Sequence, residues 1–286
     1  MIPPRFFYYW SGSDFQYVHY LSVKSLLKTT ALDHVIIYYE QPPQNNEYFQ
    51  ELDKLRNVTL KKVDYDFLIG ETGFSVSDFN TFFKFAEINH KSDFIRYLVL
   101  YQGGVYLDFD TLVLRDLSPL LSVDFFVAHQ EPDPGGNDVN GAIMGAAPLC
   151  HEILYCLEYT KGIKKHLKRF QLKNLRYGKL PQFFWGMNAL HWCDVGPALL
   201  TKLCKKEDFC GHIYPKSYFY FFSYEQCSEI FDENLWQGKS IPEDIYILHY
   251  WGSQCTNFTR KIDRQYLHKS SSIFAQVARS SLGKSL

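Results

Sequence analysis

The stretch YQGGVYLDFD, Tyr101 to Asp110, closes an apolar strand with two aspartates one residue apart. Alternate side chains of an extended chain lie on one face, so both carboxylates reach the same ion or its bound water. Two like charges held this close repel unless something cationic lies between them. The Gly103-Gly104 pair just upstream is a turn signal, and the fold depends on what that turn joins to the strand.

Upstream, the spacing predicts a helix over 79–102, with Phe82, Phe85 and Ile88, then Phe94, Ile95 and Leu98 at helical intervals and the glycine pair as its stop. Asp93 and Arg96 are three residues apart and share a face of it. A helix this rich in Phe, Ile, Leu and Val is expected to bury most of its surface, so the pair is expected at a polar cleft. VYLDFDTLVL then reads as one strand.

Further toward the N-terminus, RFFYYW reads as a strand ended by the turn SGSD, and 15–28 as a helix carrying Val18, Leu21, Ser25 and Leu26 on one face. HVIIYYE is a second strand, EYFQELDKLRN a helix and VTLKKVDYD a third strand. This β-α-β-α-β alternation predicts a parallel sheet covered by helices. After the aspartates, DFFVAHQ and NGAIMGAA read as strands and PLCHEILYCLEYT as a helix. A helix follows near 196–205, then aromatic strands around IYPKSYFYFF, and DIYILHYWGS as a strand running into a loop. With no internal repeat and no low-complexity linker, one domain over 1–259 followed by a basic, Ser-rich tail over 260–286 is the simplest organisation.

The 286 residues are 46% hydrophobic, enough for a large core. A formal net charge of −1 argues against a nucleic-acid binder, which carries a basic excess. Charge is uneven locally: Lys161 to Lys179 holds eight Lys/Arg and no acid, and the tail has six Lys/Arg against Asp263. The basic segment 161–179 reads either as a solvated face or, with Ile163, Leu167 and Phe170 at helical spacing, as an amphipathic helix resting on anionic lipid, and the basic tail is the other candidate for such a membrane contact. Seven scattered cysteines without a CxxC pair read as reduced thiols of a cytosolic protein. The sequons Asn57-Val-Thr and Asn257-Phe-Thr would instead suit a Golgi lumen, reached if an N-terminal anchor has been removed. No apolar run reaches the ~18 residues of a membrane span.

In an open α/β sheet ligands bind at the carboxyl ends of strands, where Asp108 and Asp110 are predicted to lie. Hard oxygen ligands favour Mg²⁺ or Mn²⁺ over zinc. The spacing alone is a weak signal, because Asp64-Tyr-Asp66 has it too and also follows a predicted strand. Context separates the two: only the second triplet is preceded by the Asp93/Arg96 helix and the glycine turn.

The run from Ser92 to Asp110, with S-D-x-x-R, G-G-x-Y and L-D-x-D in order, resembles the DXD sugar-binding region of glycosyltransferase family 32. That family includes α1,4-glycosyltransferases and fungal initiating mannosyltransferases, and the run is also similar to the catalytic domain of large clostridial glucosylating toxins. YYWSG at Tyr8–Gly12 looks like the family's first strand, LHYWGSQC like its closing motif, and NGAIMGAAPLCHEIL and VGPALLTK like its middle blocks, so the resemblance covers about 2–253. It implies a GT-A type nucleotide-sugar-binding α/β fold with a mostly parallel central sheet flanked by helices.

The resemblance also implies roles. Trp10 would stack on the nucleotide base. Asp93 and Arg96 would hold the donor's sugar and ribose, Tyr106 the sugar or phosphate, and Asn140, opening the NGAIMG block, the nucleotide-sugar as well. Asp108 would hydrogen-bond the donor at the metal, Asp110 would ligate Mn²⁺ (or Mg²⁺) directly, and His249 would be a third ligand or sit just behind it. Trp251 and Ser253 would contact the β-phosphate; where the family often has a second Trp soon after that Ser, this chain has Gln254-Cys255.

The activity so implied is retaining, metal-dependent transfer of a hexose or N-acetylhexosamine to a glycan, glycolipid or protein acceptor. The likeness to toxins and α1,4-transferases favours a UDP-sugar, with GDP-mannose as the other donor. Retention is reached through a carboxylate nucleophile or by front-face attack, and Asp138 and Asp194 are the carboxylates nearest the middle blocks. The same aspartates would serve a nucleotide-sugar hydrolase, and a non-catalytic binding module is the remaining reading; the intact set Asp93, Arg96, Asp108, Asp110 argues against the latter.

Overall fold

The computed structural model describes residues 1–133, 135–163, 190–236 and 241–283. In chain order its elements are β1 (Arg5–Trp10), α1 (Tyr17–Thr29), β2 (His34–Tyr39), α2 (Glu47–Asp53), β3 (Val58–Lys62), α3 (Tyr65–Gly70), α4 (Asn80–Phe85) and α5 (Ile88–Tyr101). There follow β4 (Gly104–Leu107), β5 (Thr111–Val113), β6 (Phe125–His129), β7 (Val139–Ala146), α6 (His151–Lys161) and α7 (Pro197–Cys204). The C-terminal part adds β8 (His212–Tyr214), α8 (Lys216–Phe219), β9 (Ile247–His249), α9 (Thr256–Thr259), α10 (Arg264–Lys269) and α11 (Ile273–Leu282).

Among the described residues, seven strands form one sheet in the order β3-β2-β1-β4-β7-β6-β8, and β5 pairs with β9 separately. The pairs β1–β2, β2–β3 and β1–β4 are parallel, and β7 runs antiparallel to both β4 and β6. Alternation along β1 shows how the sheet is covered. Phe7 and Tyr9 face the apolar cluster built with α5, while Phe6 and Tyr8 face the one built with α1 and α2. Both faces are therefore buried, as the near-continuous apolar run in RFFYYW predicted.

The glycine turn is needed for steric as well as conformational reasons. Gly104 has φ +142, and a Cβ there would fall 2.5 Å from the carbonyl oxygen of Arg5 on the neighbouring strand. A Cβ at Gly103, where φ is +83, would fall 2.7 Å from the Pro148 ring. Together they let α5 turn directly into a strand running beside β1.

Several elements depart from the sequence reading. The single strand VYLDFDTLVL is two: β4 stops at Leu107, the Asp108 amide still donates to Ala142, and after a turn β5 leaves the sheet to pair with β9. Thr111 Oγ1 donating to the Asp108 carbonyl closes that turn. The helix expected over 79–102 is divided at Ala86–Glu87, and α5 begins with the Glu87 amide donating to His90 Nδ1. In IYPKSYFYFF the strand ends at Tyr214 because Pro215 has no N–H for a ladder, and α8 follows.

The segment set apart as a tail folds onto the rest. Ile273, Phe274, Val277 and Ala278 of α11 and Leu267 of α10 join Val18 and Leu21 of α1 in a third apolar cluster, which also takes in Ile230 and Phe231 from the 3₁₀ helix Tyr224–Phe231. Of the basic segment, Lys161 ends α6 and Ile163 is buried. The remainder, with Leu167 and Phe170, lies outside the described residues, and so does the membrane contact expected of it.

Candidate active site

The site forms at the carboxyl ends of β1 and β4, where α5 and the β5–β9 pair converge. Arg96 is its centre. Its side chain is 5% exposed, a cost that pairing must offset, and its Nε is buried with no hydrogen-bond partner. Nη1 donates to Asp93 Oδ1 at 2.8 Å, Nη2 lies 3.2 and 3.3 Å from the two oxygens of Asp108, and the guanidinium sits 4.7 Å above the Tyr106 ring. The Tyr106 hydroxyl donates to Asp108 Oδ1 at 2.8 Å. The i,i+3 pair seen in the sequence is thus a buried bridge from α5 to the end of β4.

Two glycines make room for it. A Cβ at Gly196 would fall 2.4 Å from Asp93 Oδ2, and one at Gly141 would fall 2.6 Å from Arg96 Nη1. The glycines in VGP and NGAIMG are therefore close-approach positions around one ion pair.

Asp110 lies on the other side of Asp108. Its Oδ1 is 3.1 Å from His249 Nε2, and its Oδ2 accepts the Gly252 amide at 2.8 Å. Trp251 is held in the left-handed region at φ +52, a strained conformation for a non-glycine residue, and this turns the chain so that the Gly252 N–H meets the carboxylate. The Trp251 indole donates to the Phe222 carbonyl and stands edge-on to His249 with ring centres 4.4 Å apart. It buttresses the histidine.

Charges in the cluster do not balance. Asp93, Asp108 and Asp110 face the single guanidinium of Arg96, with His249 beside Asp110. Burial raises the Asp93 carboxyl, to about 7, although Arg96 opposes this, and burial likewise raises Asp108 against the pull of Arg96. Burial works against the ionised form of Asp110 too, but His249 and the Gly252 amide prevail and hold it at about 2. Asp108, Asp110 and His249 each present a donor atom within 4.8 Å of the others, and His249 Nδ1 is buried with no hydrogen-bond partner. Two carboxylates and an imidazole around an excess of negative charge fit a divalent cation.

The cleft above these groups has a volume of about 350 Å³ and is lined by Trp10, His19, Ser92, Asp108, Asp110 and Ser253, among others. It shares Ser11 and Ile88 with an adjoining hollow of about 630 Å³ between Glu40 and Lys91. Trp10 packs edge-on against Phe15 and Phe109, and its indole donates to the Gly12 carbonyl. Ser253 is exposed at the rim.

Other residues singled out in the sequence have different partners. The Asn140 amide donates to Gln130, and its oxygen accepts the Ala142 N–H, shaping the start of β7. Asp138 lies 4.0 Å from His129, and Asp194 accepts the His191 amide. The rival triplet is accounted for by helix capping: Asp64 accepts the Phe67 amide at the start of α3, and Asp66 lies in its first turn. His19 and Phe109 belong to the site and were given no role from the sequence, which took Ser92 and Gly196 only as members of motifs.

Residues 21–127 match the family described as "Glycosyltransferase sugar-binding region containing DXD motif". Inositol phosphoceramide mannosyltransferase 3 of Schizosaccharomyces pombe (strain 972) is 27% identical over 175 residues, which are 56% of this chain and 42% of that protein. The chain thus spans less than half the length of that relative. Among solved structures, mouse xyloside xylosyltransferase 1 superposes with a TM-score of 0.50 at 11% identity, covering 87% of this chain and 98% of that one. The glycosyltransferase GlyE of Streptococcus pneumoniae TIGR4 gives 0.49 at 16% identity, covering 99% and 61%. The resemblance read from 92–110 and the GT-A type α/β fold are both borne out. No described helix is long and apolar enough to cross a membrane.

Proposed function

Because residues 21–127 carry the DXD sugar-binding region of the glycosyltransferases, we propose that the chain transfers a hexose or N-acetylhexosamine from a nucleotide-sugar, a UDP-sugar before GDP-mannose, to a glycan, glycolipid or protein acceptor. The observation that carries this reading is the arrangement of Arg96 between Asp93 and Asp108, with Asp108 and Asp110 lining one cleft and the buried His249 against Asp110. A cationic group braced by two carboxylates beside a three-donor cation site suits a diphosphate-linked sugar.

Cleaving the anomeric C–O bond builds negative charge on the departing diphosphate and positive charge on the sugar. A divalent ion held by Asp108, Asp110 and His249, Mn²⁺ or Mg²⁺, would act as the Lewis acid for that leaving group. Arg96 adds fixed positive charge and, because Asp93 and Tyr106 hold it in place, needs no reorganisation as the charge develops. Asp93, buried against Gly196, would accept from sugar hydroxyls, as the family resemblance implies. Trp10 offers an aromatic surface to the base at the other end of the cleft. Retention of anomeric configuration is part of the proposal and comes from the family resemblance.

The test is a thermal-shift series with UDP- and GDP-sugars, each with Mn²⁺ and with chelator, since a ligand that binds the folded state raises Tm by mass action. A Mn²⁺-dependent shift with one donor names the nucleotide; no shift with any donor removes the reading. Turnover with and without added acceptor then separates transfer from hydrolysis, and NMR of the product's anomeric proton reads the stereochemistry.

A further inference from the structure

His19 lines the cleft from α1, alongside Asp108, Asp110 and Ser253. It sits at the third position of the helix, and its Nδ1 accepts the backbone N–H of Gln16, the N-cap, at 2.9 Å. Glu or Gln commonly fills that place, returning a side-chain oxygen to the N-cap amide. An imidazole does the same work with a difference. A nitrogen that accepts a hydrogen bond carries no proton, so in the neutral ring the proton must be on the other nitrogen.

The ring is kept neutral by its surroundings. It is partly buried among Trp10, Phe15 and Phe109, with centroids 4.6, 5.2 and 6.0 Å away. That burial lowers its pKa to about 4, although Asp110 and Asp14 pull the other way. Nε2 makes no hydrogen bond to any described residue, whereas Nδ1 is occupied by the cap. The one remaining polar atom of a cleft-lining residue is therefore a donor.

We propose that His19 is a tautomer-locked binding residue whose Nε2–H donates to an oxygen of the bound nucleoside diphosphate. The cap at Gln16 fixes which nitrogen carries the proton, and the aromatic wall fixes where the ring points. This rests on the nucleotide-sugar reading of the cleft and adds to it a donor that stays uncharged at neutral pH, beside a cluster already crowded with carboxylates. A neutral donor binds phosphate oxygen without competing with a cation for Asp110.

The experiment has two parts. In protein labelled with ¹⁵N-histidine, the nitrogen shifts of His19, assigned by their loss in His19→Gln, report the tautomer directly. The expected result is a proton on Nε2 in the free protein, with the Nε2–H resonance moving when UDP and Mg²⁺ are added; a proton on Nδ1, or no movement on saturation, overturns the proposal. In parallel, calorimetry compares UDP·Mg²⁺ binding by wild type and His19→Gln, which keeps an oxygen for the Gln16 cap. Affinity is expected to fall by about tenfold or more, the usual cost of one hydrogen bond to a charged group, while the melt stays cooperative at neutral pH.

Equal affinities would sink the role of His19 and leave the nucleotide-sugar reading standing. Failure of wild type to bind either UDP or GDP, with Mg²⁺ present, would remove both. Should His19→Gln not fold, the His19 ring nitrogens are assigned instead by through-bond correlation to its sequence-assigned backbone, and the wild-type NMR measurement still decides.

Discussion

Gly196 lies so close to Asp93 that a Cβ on it would fall 2.4 Å from the carboxylate oxygen Oδ2. The loop before α7 therefore acts as the back wall of the ion pair on α5. The hydroxyl of Tyr97, one turn beyond Asp93, donates to the Val195 carbonyl at 2.6 Å and fastens the same loop. Gly196→Ala should push Asp93 out of line with Arg96. The expected loss is about 1–3 kcal/mol of stability, the usual cost of overpacking, with a larger proportional loss of turnover. Thermal unfolding and donor hydrolysis measured on one preparation check this, and a variant with normal turnover would show that the loop yields without disturbing the pair.

Asp110→Asn should abolish metal-dependent turnover and leave the fold intact, and chelation should have the same effect on wild type. The parallel change Asp66→Asn should cost only a few tenths of a kcal/mol through the helix dipole of α3 and leave turnover unchanged. Circular dichroism with a turnover assay across the three samples decides. Equal losses of turnover from both substitutions would refute the choice of triplet.

The two triplets show what the sequence could and could not specify. Both have the same spacing after a strand, and each carboxylate pair answers a local need, one for a helix cap and one, on the reading proposed above, for a cation. The difference came from Asp93, Arg96 and the glycine turn, which are contiguous with the second triplet and so were legible. The β-α-β-α-β half was legible for the same reason, since period and burial agree along β1 and β2. Contacts at long range were not. That Gly141 and Gly196 surround Arg96 depends on elements 45 and 100 residues downstream of it, and nothing local distinguishes them from turn glycines. The helices of the tail were hidden by their Lys, Arg and Ser content: most of the Lys and Arg lie on the solvent side, while Ser270, Ser272 and Ser281 are buried along with Phe274, Ala275 and Ala278. His19 read only as part of an amphipathic helix, because its role comes from an N-cap that the sequence shows as an unremarkable Gln16.

Arg96 should be irreplaceable by lysine. Its forked guanidinium serves Asp93 with one nitrogen and both oxygens of Asp108 with the other, a division that a single ammonium does not reproduce. Arg96→Met leaves the buried Asp93 and the part-buried Asp108 without their counter-charge and is expected to cost about 3 kcal/mol; Arg96→Lys should recover part of that stability and little of the donor affinity. Urea unfolding gives the first quantity and UDP·Mg²⁺ calorimetry the second. Wild-type donor affinity in Arg96→Lys would mean that charge alone, without the bridge, suffices.

Acid stability offers an independent check on the state of His19. Its folded pKa is lowered from 6.5 to about 4, burial prevailing over the attraction of Asp110 and Asp14. The unfolded chain therefore takes up a proton at this residue before the folded protein does. The stabilisation from keeping the ring neutral is present above pH 6.5 and is lost as pH falls from there toward about 4, where the folded form protonates too. Across that window wild type should lose up to about 3 kcal/mol that His19→Gln does not. Urea unfolding of both proteins with chelator present, at steps between those two pH values, isolates the residue because every other titrating group is common to the pair. Curves that stay parallel would show the ring to be as easily protonated in the folded protein as in the unfolded chain, and would remove the aromatic wall as the cause of its neutrality.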